Sequence, residues 1–161
     1  MLKIIWLLTL FVSCLGFVNP AQAEGGNAEL RTGVGANNDA AVLMGGIGVG
    51  YDWNLSDELF VGVQATGDLN IDGFGAMAGV VRAGPQLVSG SKIYALAGLG
   101  VLTDYGDSTA QLVIGTGIEF DIGKSVYGKI EYRNFPLVGR TSADGDPGAV
   151  HQALFGIGLR F

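Results

Sequence analysis

The chain is poor in the residues that carry chemistry or staple small exported domains. Cysteine occurs once, at Cys14, and histidine once, at His151. Because Cys14 falls inside a candidate leader, the rest of the chain has no disulfide framework, thiol nucleophile or thiolate metal set. A single histidine excludes the usual zinc ligand sets. Proline occurs 4 times, and the 28 glycines follow no G-x-y period, which excludes collagen-like and proline-rich linker structure. Acidic residues outnumber basic ones 15 to 9, which argues against nucleic acid as a partner. After residue 23 no apolar run approaches ~18 residues, although the mean hydropathy is +0.40. A hydrophobic chain without a spanning helix must satisfy its backbone in some other way.

Residues 1–23 have the form of an export signal. Lys3 supplies the positive start, Ile4 to Val18 the apolar core, and Pro20 precedes a small-x-small site at Ala21-Gln22-Ala23. Cleavage after Ala23 would make Glu24 the mature start, leaving residues 24–161 as one domain. A lipoprotein signal with Cys14 as the modified residue is the rival, but Phe11 stands where a small aliphatic is wanted. An N-terminal anchor is disfavoured, since the run is shorter than the ~20 residues a spanning helix needs.

What remains is β-patterned. Eight strand candidates, at 28–36, 40–53, 58–69, 74–88, 92–103, 109–121, 125–135 and 149–161, are separated by turn signals. Most suit the ~9–11 residues a tilted strand needs to cross a bilayer. Asn54 to Asp57, Ser89 to Ser91 and Ile122 to Lys124 are tight turns. They alternate with connections at Asn37 to Asp39, Asn70 to Gly73, Asp104 to Ser108 and Pro136 to Gly148. With both ends on the periplasmic side, the first set lies inside and the second outside, as in outer-membrane barrels.

Parity sharpens this, because successive strand side chains point to opposite faces. Counting back from the last residue, Phe161, Leu159, Ile157, Phe155 and Ala153 share one face, and Arg160, Gly158, Gly156, Leu154 and Gln152 the other. Glu29 and Arg31 oppose Leu30 and Val34; Asp52 opposes Tyr51 and Trp53; Gln64 and Asp68 oppose Val63 and Leu69. Arg82 opposes Val81, Glu119 and Asp121 oppose Ile118 and Phe120, and Lys129, Glu131 and Arg133 oppose Ile130 and Tyr132. Lys92, Lys124 and Arg140 are assigned to turns or a loop. A β-sandwich also alternates, but its charged face would be solvated and have no need of glycine. Here Gly33, Gly35, Gly46, Gly48, Gly50, Gly115, Gly117, Gly156 and Gly158 crowd the charged parity, which suits a cramped barrel interior. The reading is therefore all-β: an eight-stranded antiparallel transmembrane β-barrel, an up-and-down meander. Tyr51, Trp53, Phe120 and Phe161 are expected at the periplasmic girdle, and Tyr132 and Phe135 at the outer one.

The leader ending Ala21-Gln22-Ala23, the eight strands, the Lys129-Ile130-Glu131-Tyr132-Arg133 segment and the closing Gly156-Ile157-Gly158-Leu159-Arg160-Phe161 resemble small bacterial outer-membrane β-barrel proteins. The nearest group is the OmpA/OmpX-like, opacity-type porin family. The resemblance implies residence in a Gram-negative outer membrane among lipid and lipopolysaccharide, as a monomer. It also implies delivery by periplasmic chaperones and recognition by the barrel-assembly machinery through the terminal face Phe155, Ile157, Leu159 and Phe161. The connections are shorter than those of long-looped adhesins of the group, and a peptidoglycan-binding domain after Phe161 is not expected.

No enzyme motif matches the barrel pattern in specificity. Lipid A deacylases of this architecture resemble serine hydrolases with a His-x-Ser arrangement, whereas Ala153 stands two residues after His151. By parity His151 faces lipid near the outer interface, so catalysis is not expected, and neither is a cofactor. The outer connections hold Asp39, Asp72, Asp104, Asp107, Asp144 and Asp146 against Arg140; most simply these are solvated turn residues, alternatively an acidic rim for cations or basic partners. Asp144-Gly145-Asp146 is too short for a calcium loop. Inside, Glu29, Arg31, Asp52, Asp68, Arg82, Glu119, Asp121, Lys129, Glu131, Arg133 and Arg160 are read as a salt-bridged plug, since eight strands leave an interior that side chains fill. A narrow ion path is the alternative, with a lipid A-modifying enzyme behind it. The expected role is envelope integrity or surface interaction.

Overall fold

The computed structural model describes residues 25–36, 41–71, 73–87, 90–104, 107–136 and 149–161. The proposed leader with Ala21 and Ala23, and the loop residues Asp39, Asp72, Arg140, Asp144 and Asp146, lie outside that set. Eight strands follow one another: β1 Gly25–Ala36, β2 Ala41–Ser56, β3 Leu59–Leu69, β4 Gly75–Pro85, β5 Lys92–Asp104, β6 Asp107–Asp121, β7 Val126–Phe135 and β8 Val150–Arg160. Each pairs antiparallel with the next, and β1 pairs with β8 through registers such as Leu30↔Ile157, closing the barrel. The architecture is the meander expected from the sequence.

The ends of the strands have local causes. β4 ends at Pro85, short of residue 88; Pro85 itself has no N–H to offer the ladder, and beyond it, among the described residues, a single bridge, Gln86 with Lys92, continues the pairing. β2 runs on to Ser56, with its register shifting between Asn54 and Ser56 as it turns into β3. The β4–β5 turn closes on Gly90 at φ +81°, a conformation that favours glycine.

Closure leaves two faces with opposite chemistry. Leu43, Met77 and Leu99 on the outside are more than 60% exposed, and Val49, Val81, Ile130, Phe155 and Ile157 stand on the same surface. In water so continuous an apolar surface would drive association; against lipid it is the face such a barrel presents. Tyr51 and Trp53 pack at 4.8 Å between ring centroids near the periplasmic end. Two outward glycines there are covered by aromatics: the Phe120 ring lies over Gly128, and the Phe161 ring over Gly26, whose carbonyl accepts the Phe161 N–H at 2.9 Å. Each ring fills a place where a strand glycine has no side chain to pack.

Two residues lie elsewhere than their sequence context predicts. Phe135 is not in the outer girdle; it is buried inside the barrel, because it shares the parity of Lys129, Glu131 and Arg133. Lys92 is not a turn residue; it opens β5 and is buried in the lumen with Tyr94 and Leu96.

Candidate functional site in the barrel lumen

The lumen is where the polar residues go, so its wiring is the candidate site. Of the charged residues expected inside, Glu29, Arg31, Asp52, Asp68, Arg82, Glu119, Lys129, Glu131 and Arg133 are buried. Arg160 and Asp121 sit at the periplasmic mouth, with side chains 14% and 32% exposed. The terminal residues Phe155, Ile157 and Phe161 point outward, on the same face as Leu159.

The glycines decide which side chains meet. Adjacent strands lie about 4.8 Å apart, so residues on second-neighbour strands are separated by about 10 Å of backbone and can touch only by leaning over the residue between. Where that residue is glycine, they do. Arg31 and Asp68 flank Gly46 in register, and Arg31 Nε donates to Asp68 Oδ1 at 2.6 Å. Asp52 and Arg82 flank Gly62, and Arg82 Nη2 donates to both Asp52 oxygens at 2.9 Å. Tyr94 and Glu131 flank Gly117, and the Tyr94 hydroxyl donates to Glu131 at 2.7 Å. Tyr127 and Glu29 flank Gly158, and the hydroxyl donates to Glu29 at 3.1 Å. A Cβ at any of these glycines would strike one of the two flanking side chains: Asp68 at Gly46, Asp52 at Gly62, Tyr94 at Gly117 and Tyr127 at Gly158.

The ion pairs form two groups. One, at mid-height, joins Arg31, Lys129 and Arg133 to Glu29, Asp68 and Glu131: Lys129 Nζ donates to Glu29 at 2.6 Å and Arg133 Nε to Glu131 at 2.6 Å, while Arg31 lies 3.6 Å from Glu131. The other, toward the periplasm, joins Arg82, Lys92 and Arg160 to Asp52, Glu119 and Asp121. There Lys92 Nζ reaches Asp52 at 2.7 Å, Arg160 reaches Glu119 at 3.1 Å, Arg82 pairs with Glu119 and Arg160 with Asp121. Cations and carboxylates balance one for one in each group.

Two tyrosines stand between the groups and serve both. Tyr94 gives its hydroxyl to Glu131 while Arg82 lies over its ring at 5.3 Å; Tyr127 gives its hydroxyl to Glu29 while Arg160 lies over its ring at 4.8 Å. A buried tyrosine is suited to this, with a polar tip and a face that attracts cations. Phe60 offers Lys92 a ring face alone, with Nζ 4.6 Å from the centroid.

Toward the outer end the filling becomes apolar. Met44, Ala76, Val113 and Phe135 are buried there, with Val42, Phe74, Leu102 and Val150 packed against their cluster. Gln152 and Thr66 mark the boundary: Gln152 Nε2 donates to Met44 Sδ at 3.4 Å, and Arg133 Nη1 to Thr66 Oγ1 at 2.7 Å. Among the described residues no group of histidine, cysteine, aspartate or glutamate is arranged to hold a metal ion.

Sequence reasoning placed the charged residues on one parity but missed Lys92 and the roles of Tyr94, Tyr127 and Phe60. The signal was present, since Lys92 and Tyr94 alternate with the outward Ile93.

No protein-family model matches the chain, and no curated protein matches it. Solved structures do. Neisserial surface protein A (NspA) aligns over 87% of this chain and 98% of its own, at 13% identity and a TM-score of 0.56. Ail, the attachment invasion locus protein of Yersinia pestis in complex with the heparin analogue sucrose octasulfate, aligns over 86% and 97%, at 15% identity and 0.58. The N-terminal β-barrel domain of Pseudomonas aeruginosa OprF aligns over 84% and 97%, at 14% identity and 0.55. With its closed meander and apolar outer belt, the chain has the fold of the small eight-stranded outer-membrane β-barrels of Gram-negative bacteria.

Proposed function

We propose that the protein is a monomeric, closed-lumen barrel with a structural or surface-interaction role in the cell envelope, not a conduit. The observation that carries this is the filling of the lumen among the described residues: two charge-balanced ion-pair groups, then an apolar section around Met44, Val113 and Phe135. An ion entering from the periplasm meets no net charge to draw it in, and would have to shed water to pass the apolar section. No catalytic role is assigned. The carboxylates of the lumen groups are held in ion pairs, and His151 lies outside the barrel, bonded to Tyr132 and Asn134. Its partners are outer-membrane lipid and lipopolysaccharide, with chaperones and the assembly machinery acting on the Phe155, Ile157, Leu159 and Phe161 face before insertion. The acid-rich outer connections favour a basic surface partner over a polyanion such as the one Ail holds.

A narrow channel is the second reading. Buried polar atoms without a hydrogen-bond partner, at Asn27, Gln64 and Gln152, favour it, since a hydrated path would satisfy them. Planar-bilayer recording of the purified protein separates the two. A silent bilayer is expected, and reproducible ion-selective openings would overturn the closed-lumen reading.

A further inference from the structure

Among the described residues, a polar cluster stands on the outer face where β7 and β8 meet. On β7 the outward residues run Ile130, Tyr132, Asn134, and on the neighbouring β8 they run Phe155, Ala153, His151. The Tyr132 hydroxyl lies 2.6 Å from His151 Nδ1, and Asn134 Nδ2 lies 2.9 Å from the same nitrogen. The two rings stack, 6.1 Å apart and inclined by 26°. With the Tyr132 hydroxyl and the Asn134 amide both donating, Nδ1 is the acceptor of the pair and the ring proton belongs on Nε2, the tautomer on which the site depends. Nε2 makes no hydrogen bond among the described residues. His151 is exposed, and its other cross-strand neighbour is the small Ala36 on β1, so nothing described covers that side.

A fixed N–H donor facing hydrocarbon would go unsatisfied. His151 is instead the second residue of β8, at the outer limit of the apolar belt, where lipid headgroups begin. What the cluster offers is a donor, so its ligand is an acceptor, and an anionic oxygen is the strongest acceptor at that depth. We propose that His151, Tyr132 and Asn134 form a site for the phosphate of an outer-leaflet lipid. In it His151 Nε2–H donates to a phosphate oxygen, and Tyr132 and Asn134 act as positioning residues that fix the tautomer. The proposal rests on the outer-membrane reading above.

His151 is the only histidine, so labelling with ¹⁵N-histidine gives ring signals that need no assignment. The protein is placed in vesicles of phosphatidylglycerol and phosphatidylethanolamine, and dephasing of each ring nitrogen by lipid ³¹P is measured by solid-state NMR. The expected result is a protonated Nε2 that is strongly dephased and an Nδ1 that is not. Tyr132→Phe should shift the tautomer balance and lose most of the dephasing, while heat-modifiable gel migration stays unchanged. A protonated Nδ1 in the unmodified protein, or an Nε2 without dephasing, would overturn the site. Equal shifts of the ring signals on adding inorganic phosphate to lipid-free micelles would overturn the assignment to lipid. Failure of the membrane reading shows separately, as protein that does not insert into the vesicles at all.

Discussion

Replacing Gly62 with alanine adds one methyl group and should cost the barrel far more than a methyl group usually does. In an unconstrained strand the change favours folding by about 0.5–1 kcal/mol, because alanine has less backbone freedom to lose. At Gly62 the new Cβ strikes Asp52 Oδ1 and lies 2.9 Å from the Tyr51 carbonyl oxygen. Asp52 has nowhere to swing, being held by Arg82 at 2.9 Å and Lys92 at 2.7 Å. The methyl group therefore separates Asp52 from Arg82. Parting a buried pair costs about 3–5 kcal/mol, so the net loss is about 2–4 kcal/mol after the backbone gain. Gly79→Ala is the matched control. It lies on the neighbouring β4, faces outward, and a Cβ there meets nothing within 4 Å; that variant should be unchanged or stabilised by up to about 1 kcal/mol. Urea titration in lipid vesicles, followed by the fluorescence of Trp53 beside Tyr51, reads both. If Gly62→Ala unfolds at the same urea concentration as Gly79→Ala, or at a higher one, the idea that lumen glycines exist to let second-neighbour strands meet is wrong.

Arg82→Gln should lower unfolding free energy by about 3–5 kcal/mol, since Glu119 and Asp52 are buried and lose a shared cation. Arg160→Gln, at the 14% exposed mouth, should cost about 1 kcal/mol in the same titration. Asn27→Leu should be neutral or stabilising, because both polar atoms of the Asn27 side chain are buried without a partner; a loss above about 1 kcal/mol would indicate a bound water that serves them. Removing Phe161 should lower the fraction of heat-modifiable barrel in cells, through loss of the ring over Gly26 and of the terminal face; normal insertion of the truncated chain would count against that role. Phe135→Ala, which hollows the apolar outer section, should raise single-channel activity above that of the unmodified protein.

Strand number, order and the facing of nearly every residue were legible because a period of two is a local property that needs no partner. The failures have different causes. Phe135 was assigned from its residue type and place in the chain against its own parity, and parity was right. Lys92 heads the candidate strand 92–103 yet is grouped with the turns, while its alternation with the outward Ile93 puts it inside. The pairings themselves were beyond local reading. Parity puts Asp52 and Arg82 on the inside, but only the stagger between ladders sets both beside Gly62. A register slip of two residues would keep every facing and exchange every partner. The glycines were visible as small residues in a crowded interior; that particular ones lie beneath particular pairs was not.

The wiring of the lumen also constrains how the barrel can form. Among the described ion pairs, those within a strand, such as Arg133–Glu131, are the minority, and none of the others joins two strands of the same hairpin. Arg31 on β1 is met by Asp68 on β3, Arg82 on β4 by Asp52 on β2 and Glu119 on β6, and Lys129 on β7 by Glu29 on β1. A hairpin entering the bilayer alone would bring charges whose partners are still elsewhere, at about 2–4 kcal/mol for each Arg or Lys left near the midplane. The β7–β1 contacts, across nearly the whole sequence, exist only once the seam has shut. Hairpins of this chain are thus poor inserters one at a time, and neutralisation, closure and entry into the membrane are coupled into a single cooperative event.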